Sequence, residues 1–182
     1  MKTHTCIPQA ALKIVVRSLS AHSPRGVLTY GSLTFPCVLG RSGRRAGKRE
    51  GDGATPLGTF ALRRAFYRPD LLMRPRTRLP VSPLRPFDGW CDAPQDRNYN
   101  RPVQHPYPAS AEHMWRKDGL YDLVVVMSYN DRPRISGRGS AVFMHVASAG
   151  LKPTEGCIAL ARPHLLRLLQ AVSRHTVVEV GS

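Results

Sequence analysis

Apolar residues in this chain arrive in short runs, each fenced by glycine, proline, serine or asparagine. "LKIVVRSL" (12–19) and "GVLTYGSLTFPCVLG" (26–40) set β-prone residues around turn signals, which predicts a hairpin or meander. "GTFALRRAFY" (58–67) and "TVVEV" (176–180) predict further strands. "DLVVVMSYN" (122–130) and "SAVFMHVA" (140–147) are continuous apolar runs that suit buried central strands. The best helical spacing is in "ARPHLLRLLQAVSRH" (161–175). There Leu165, Leu166, Leu168, Leu169 and Val172 form the inner stripe, Pro163 suits the first turn, and Arg174 and His175 suit the end. Strands outnumber helices, so the pattern predicts a mainly β fold with few helices.

Between these runs lie two stretches of another kind. "GRSGRRAGKREGDGATPLG" (40–58) is a long polar, glycine-rich loop. From Arg68 to Ser110 prolines dominate; each removes a backbone donor and fixes φ, so little regular structure is expected there. Residues 68–120 therefore read as an irregular insertion or lid within a single domain spanning 1–182. No repeat or low-complexity linker divides the chain.

Composition narrows the function. The chain has 182 residues, 42% of them hydrophobic, and no run reaches the roughly 18 apolar residues of a spanning helix. Lys13 and Arg17 interrupt the apolar core that a secretory leader would need near the N-terminus. The net charge of +15, mostly from scattered arginine, suits a polyanionic neighbour, though coding bias explains it equally well. No zinc-finger spacing or RNA-binding aromatic signature accompanies it, which sets nucleic acid aside. Cys6, Cys37, Cys91 and Cys157 form no CxxC pair; an oxidising compartment would permit a Cys6–Cys37 bridge. No pattern sets an oligomeric state.

Candidate chemistry centres on Cys157 in "PTEGCIAL", with His145 twelve residues upstream. A cysteine attacks as thiolate, so it needs an imidazole or a local field to help it ionise. Gly150, Pro153 and Gly156 let the chain turn back and bring the two together, and backbone amides around Cys157 suit an oxyanion. The plainer alternative makes Cys157 a small core residue and His145 a satisfied core histidine. A zinc site of His145, Glu155 and Cys157 lacks a fourth ligand. "GDGATPLG" lacks the GK[ST] ending of a phosphate loop and reads as a turn into a strand. Cys91 is a rival nucleophile without a matching histidine, and His105 and His113 read as surface or packing residues.

"KREGDGATPLGTF" (48–60) resembles the "GD…TP.G.F" signature of the YkuD family of L,D-transpeptidases, and "FMHVASAGLKPTEGC" (143–157) resembles its histidine-to-cysteine segment. With "DGWCDAPQDRNYN" and "YDLVVVMSYN" the likeness runs from about Gly40 onward. It implies a catalytic β-sandwich of mixed sheets without metal or cofactor. A cysteine would open a peptidoglycan stem as a thioester, and the amine of a neighbouring diaminopimelate would accept the acyl group in a 3,3 or 1,3 link. By position Cys157 is the nucleophile, His145 the base, Val146 the carbonyl that orients the ring, and Gly156 with Cys157 the oxyanion donors. Glu155 and Ala159 stand where relatives carry histidine and arginine or asparagine. An anion at 155 raises the thiol pKa unless an arginine answers it.

Thr154 and Glu155 are then candidate substrate contacts. Trp90, Tyr99 and Asn100 form either a wall of the groove or surface packing, and Arg49 either holds stem carboxylates or is a solvated loop residue. The implied partners are stem peptides and the anionic wall, and the implied location is the periplasm or cell envelope, with the cytoplasm left open by the interrupted N-terminal run. Two alternatives stay open: a carboxypeptidase or endopeptidase using the same pair, and a non-catalytic wall-binding or polyanion-binding module.

Overall fold

The computed structural model describes residues 13–20 and 23–181 and holds fourteen strands and one helix among them. In chain order these are β1 (Ile14–Ser18), β2 (Arg25–Tyr30), β3 (Leu33–Val38), β4 (Arg44–Arg45), β5 (Thr55–Pro56), β6 (Gly58–Tyr67) and β7 (Val81–Pro83). There follow β8 (Asp88–Cys91), β9 (Pro102–Gln104), β10 (Ala111–His113), β11 (Leu123–Met127), β12 (Phe143–Val146), β13 (Ile158–Leu160), α1 (Arg162–Ala171) and β14 (Val177–Val180). The main sheet runs β11-β12-β13-β3-β2-β1-β14-β6-β7, and β11 pairs again with β6, so the ladder closes into a ring. Pairing is mixed: β12–β13, β1–β14 and β6–β7 are parallel, and the other pairs of this sheet are antiparallel. The mainly β, mixed-sheet fold expected from the sequence is the one observed.

Local sequence explains the elements. Gly31 takes φ 57° at the first turn position between β2 and β3, the conformation a tight hairpin asks for and a residue without Cβ supplies. All five residues of β11 are buried. Leu123, Val125 and Met127 face the core inside the ring, whereas Val124 and Val126 face a second core outside it. A strand covered on both faces has no polar side, hence the unbroken apolar run. On β12 the same alternation sends Met144 inward and Phe143 outward. His145 has the parity of Phe143.

α1 begins with Pro163 in its first turn and packs Leu165, Leu168 and Leu169 onto the ring core, each burial contributing roughly 1.5–3 kcal/mol. It stops at Ala171, short of the end expected at Arg174 and His175. Val172 turns to an extended conformation and is itself buried, so its place in the core ends the helix early.

The proline-rich stretch is more ordered than expected. β8, β9 and β10 form a separate three-stranded sheet in the order β10-β8-β9, with Trp90 paired to both Pro102 and Glu112. Its proline sits at the first residue of an edge strand, where the missing donor costs no ladder bond. Trp90 and Met114 from this region pack with Phe143, Tyr121 and Val124 in the second core. Cys37 is buried and unbridged, and a Cys6–Cys37 bridge lies outside the described residues.

Candidate active site

Cys157 and His145 come from neighbouring parallel strands. Met144 pairs with Ile158 and His145 with Ala159, so one step back in register puts Cys157 beside Phe143. Cys157 and His145 are thus diagonal neighbours on the outer face of the ring, and both line a cavity of about 550 Å³. Cys157 is partly exposed, and it packs against the second core. Its Sγ donates to the Ala141 carbonyl at 3.2 Å and receives the Phe143 N–H at 3.3 Å.

His145 is 5% exposed, and its Nδ1 lies 2.8 Å from the Val146 carbonyl. A carbonyl only accepts, so Nδ1 carries the proton and Nε2 keeps its lone pair. The Tyr121 ring stands edge-on to the imidazole at 5.4 Å.

The resting ionisation differs from a thiolate–imidazolium pair. Burial, reinforced by the Glu112 carboxylate, pushes the Cys157 thiol up to about 12, against the Phe143 N–H and Lys48. Burial likewise holds His145 down at about 4, although the bond to Val146 favours its cation. Both groups are therefore neutral at pH 7. Desolvation makes an ion pair costly here, which keeps both groups uncharged at rest.

The glycine-rich loop reaches the same place. Thr55 Oγ1 receives the Gly40 N–H at 2.8 Å and sits 3.4 Å from the Cys157 carbonyl. Thr154 Oγ1 donates to that carbonyl at 2.7 Å and accepts the Gly156 N–H at 3.2 Å. Gly156 has φ 132°, and a Cβ there would lie 2.7 Å from the Ala54 carbonyl and 3.1 Å from Lys48 Nζ. Only glycine lets these backbones and the lysine approach. Lys48 is 3% exposed and ion-paired with Asp52 at 2.8 Å. Burial opposes the Asp52 charge, but Lys48 and the amides of Arg49 and Ala54 hold its carboxyl below the usual range.

Of the residues singled out in the sequence, Cys157, His145, Gly156, Thr154 and Glu155 line the cavity. Arg41 answers Glu155 through its Nε–H, shared between the two carboxylate oxygens at 2.7 and 2.9 Å, in the open. No zinc cluster forms from His145, Glu155 and Cys157: among the described residues no group of three such side chains is placed to hold a metal. Trp90, Tyr99, Asn100 and Arg49 do not line the cavity. The first three are buried and spend their polar atoms internally; Arg49 is an exposed loop residue. Cys91 is sealed in β8, where burial raises its thiol. His105 and His113 stack on each other at 3.7 Å.

The sequence reading missed Lys48, Glu50, Glu112, Arg116, Tyr121 and Ser140, all of which line the cavity. Lys48, Glu50, Tyr121 and Ser140 lay within quoted stretches; Glu112 and Arg116 carry no local signal. Glu50 accepts hydroxyls from Tyr99 and, at 2.8 Å, from Ser140.

No curated protein matches the chain. Solved structures similar to it include Mycobacterium tuberculosis L,D-transpeptidase 1, at 13% identity and TM-score 0.40 over 94% of this chain and 63% of that one. L,D-transpeptidase 3 of the same organism, solved with a faropenem-derived adduct, shows 14% identity and TM-score 0.43 over 94% and 61%. An L,D-transpeptidase from Mycobacterium smegmatis shows 12% identity and TM-score 0.41 over 94% and 59%. The chain thus spans about three-fifths of the length of these proteins. The family model for the YkuD L,D-transpeptidase catalytic domain matches residues 21–180, which takes in every strand of the ring except β1, the glycine-rich loop and the cavity with Cys157 and His145. On that match the chain belongs to the YkuD family of L,D-transpeptidase catalytic domains.

Proposed function

We propose that the protein is a cysteine L,D-transpeptidase that joins peptidoglycan stem peptides through a thioester on Cys157. The observation that carries this reading is a partly exposed sulfur sharing one cavity with an imidazole whose Nδ1 is committed to Val146, leaving Nε2 as base. Neutral partners suit a proton transfer concerted with attack.

The S–H proton passes to His145 Nε2 as sulfur attacks the donor carbonyl. The Gly156 amide is engaged by Thr154, which leaves the oxyanion to the Cys157 N–H, with the Lys48 ammonium adding positive charge beside Gly156. Collapse expels the downstream residue as an amine, which takes the proton back from His145. A neighbouring diaminopimelate amine then attacks the thioester, forming the amide and releasing the sulfur, in a 3,3 or 1,3 link.

Peptidoglycan lies in the cell envelope, so the protein acts there, and the +15 charge favours retention on an anionic wall. Incubation with muropeptides followed by mass spectrometry tests the reading. Cross-linked dimers support it. Shortened monomers alone assign a hydrolase, and unchanged muropeptides assign a non-catalytic module.

A further inference from the structure

One charged side chain in the cavity has no role in the acylation step and opposes it. Glu112 projects from β10, and its Oε2 accepts the Tyr121 hydroxyl at 2.5 Å. The other cavity carboxylates are engaged differently: Arg41 clamps Glu155, and Glu50 takes two hydroxyls. Lys48 is held by Asp52, and the Arg116 guanidinium by Asp118. Among the described residues Glu112 has no cation within ion-pair distance, yet it shares the cavity wall with Cys157 and His145.

Burial raises the Glu112 carboxyl, with Tyr121 O–H pulling the other way. Asp92 and Glu50 add to the rise and Arg116 opposes it. Before acylation this anion works against a thiolate. After acylation the sulfur carries no charge, and an unpaired carboxylate facing the cavity attracts a cation instead. The second half of a transfer to an amine supplies one, because an alkyl amine arrives at neutral pH as ammonium and cannot attack until it loses a proton.

We propose that Glu112 is the acceptor-side base, binding the incoming ammonium and removing its proton once the thioester stands on Cys157. This rests on the transpeptidase reading above. The ammonium gives one proton to Glu112, which passes it to solvent. The free amine forms the C–N bond as the C–S bond breaks. Its second proton goes through His145 to the departing sulfur, restoring the thiol. No oxidant or further reactant is needed.

The test compares the wild type with Glu112→Gln, whose amide oxygen still accepts from Tyr121. Acylation by a carbapenem, read by intact mass, is expected to quicken a few-fold, because the anion opposing the thiolate is gone. Transfer from a tetrapeptide stem to methylamine is expected to fall about 100-fold. Transfer to hydroxylamine, already unprotonated at neutral pH, is expected to fall less than about fivefold. Tyr121→Phe, which removes a bond that favours the carboxylate, is expected to move the acid limb of methylamine transfer to higher pH. Equal losses in all three reactions, or unimpaired transfer to methylamine, would overturn the proposal. If wild-type protein forms neither adduct nor transfer product, and so behaves like Cys157→Ala, the nucleophile reading beneath it falls first.

Discussion

Asn100 holds the peptide of Ala141: its Oδ1 accepts the Ala141 N–H at 3.1 Å, while the Ala141 carbonyl accepts the thiol of Cys157 at 3.2 Å. The same Oδ1 takes Trp90 Nε1 at 2.9 Å, and Nδ2 donates to the carbonyls of Tyr129 and Asn130 at 3.1 and 2.8 Å. The side chain therefore ties the proline-rich segment to the backbone that grips the sulfur. Ala141 needs such restraint, having φ 50°, a region alanine seldom occupies. Asn100→Ala leaves buried donors and acceptors unpaired at about 1–3 kcal/mol each. It should lower the urea midpoint sharply and slow acylation of Cys157. Unchanged stability with unchanged acylation would show that the network does not matter.

His145 predicts an acid limit to stability. Its folded value of about 4 lies below the ordinary 6.5 because burial disfavours the cation. Between those values the unfolded chain binds a proton that the folded chain does not, so stability falls as pH drops from about 6.5 to about 4. The loss reaches roughly 3 kcal/mol at about 1.4 kcal/mol per pH unit. Urea unfolding at pH 7 and pH 4.5 measures it. His145→Gln should flatten that slope.

Thiol alkylation reports the other half of the pair. With Cys157 pushed up to about 12, labelling by iodoacetamide should rise about tenfold per pH unit from 7 to 10 with no plateau. Peptide mapping separates Cys157 from the other cysteines. A plateau near neutral pH would reveal a resting thiolate–imidazolium pair.

Lys48→Met removes the buried cation and leaves the Asp52 carboxylate, whose side chain is 10% exposed, with only the exposed Arg45 at 4.0 Å. The cost should be about 3–5 kcal/mol by denaturant unfolding, and Lys48→Met with Asp52→Asn should recover much of it. The single variant should also acylate more slowly, since Lys48 is a cation that eases ionisation of Cys157.

Legibility in the sequence followed the way each element is stabilised. β11, β12 and β14 announce themselves because their burial depends on their own apolar residues. Motif spacing placed Cys157, His145 and Gly156 at one wall. By contrast β10 has three residues and no periodicity; its pairing with β8 depends on a tertiary context that no local window contains. That is why Glu112 went unseen. Trp90, Tyr99 and Asn100 read as groove wall or surface packing, yet each is buried with its polar atoms on internal partners. The burial of Lys48 follows from Gly156 and Asp52 closing around it, again a matter of distance in space.

The proposed thioester on Cys157 is tested most directly by intact-protein mass spectrometry after brief exposure to a tetrapeptide stem donor. Wild-type protein should gain the mass of the donor acyl group, mapped to the peptide holding Cys157. Cys157→Ala should gain nothing, and His145→Ala should gain it far more slowly. A donor adduct that persists in Cys157→Ala, or none in wild-type protein that is turning over muropeptides, would contradict the account.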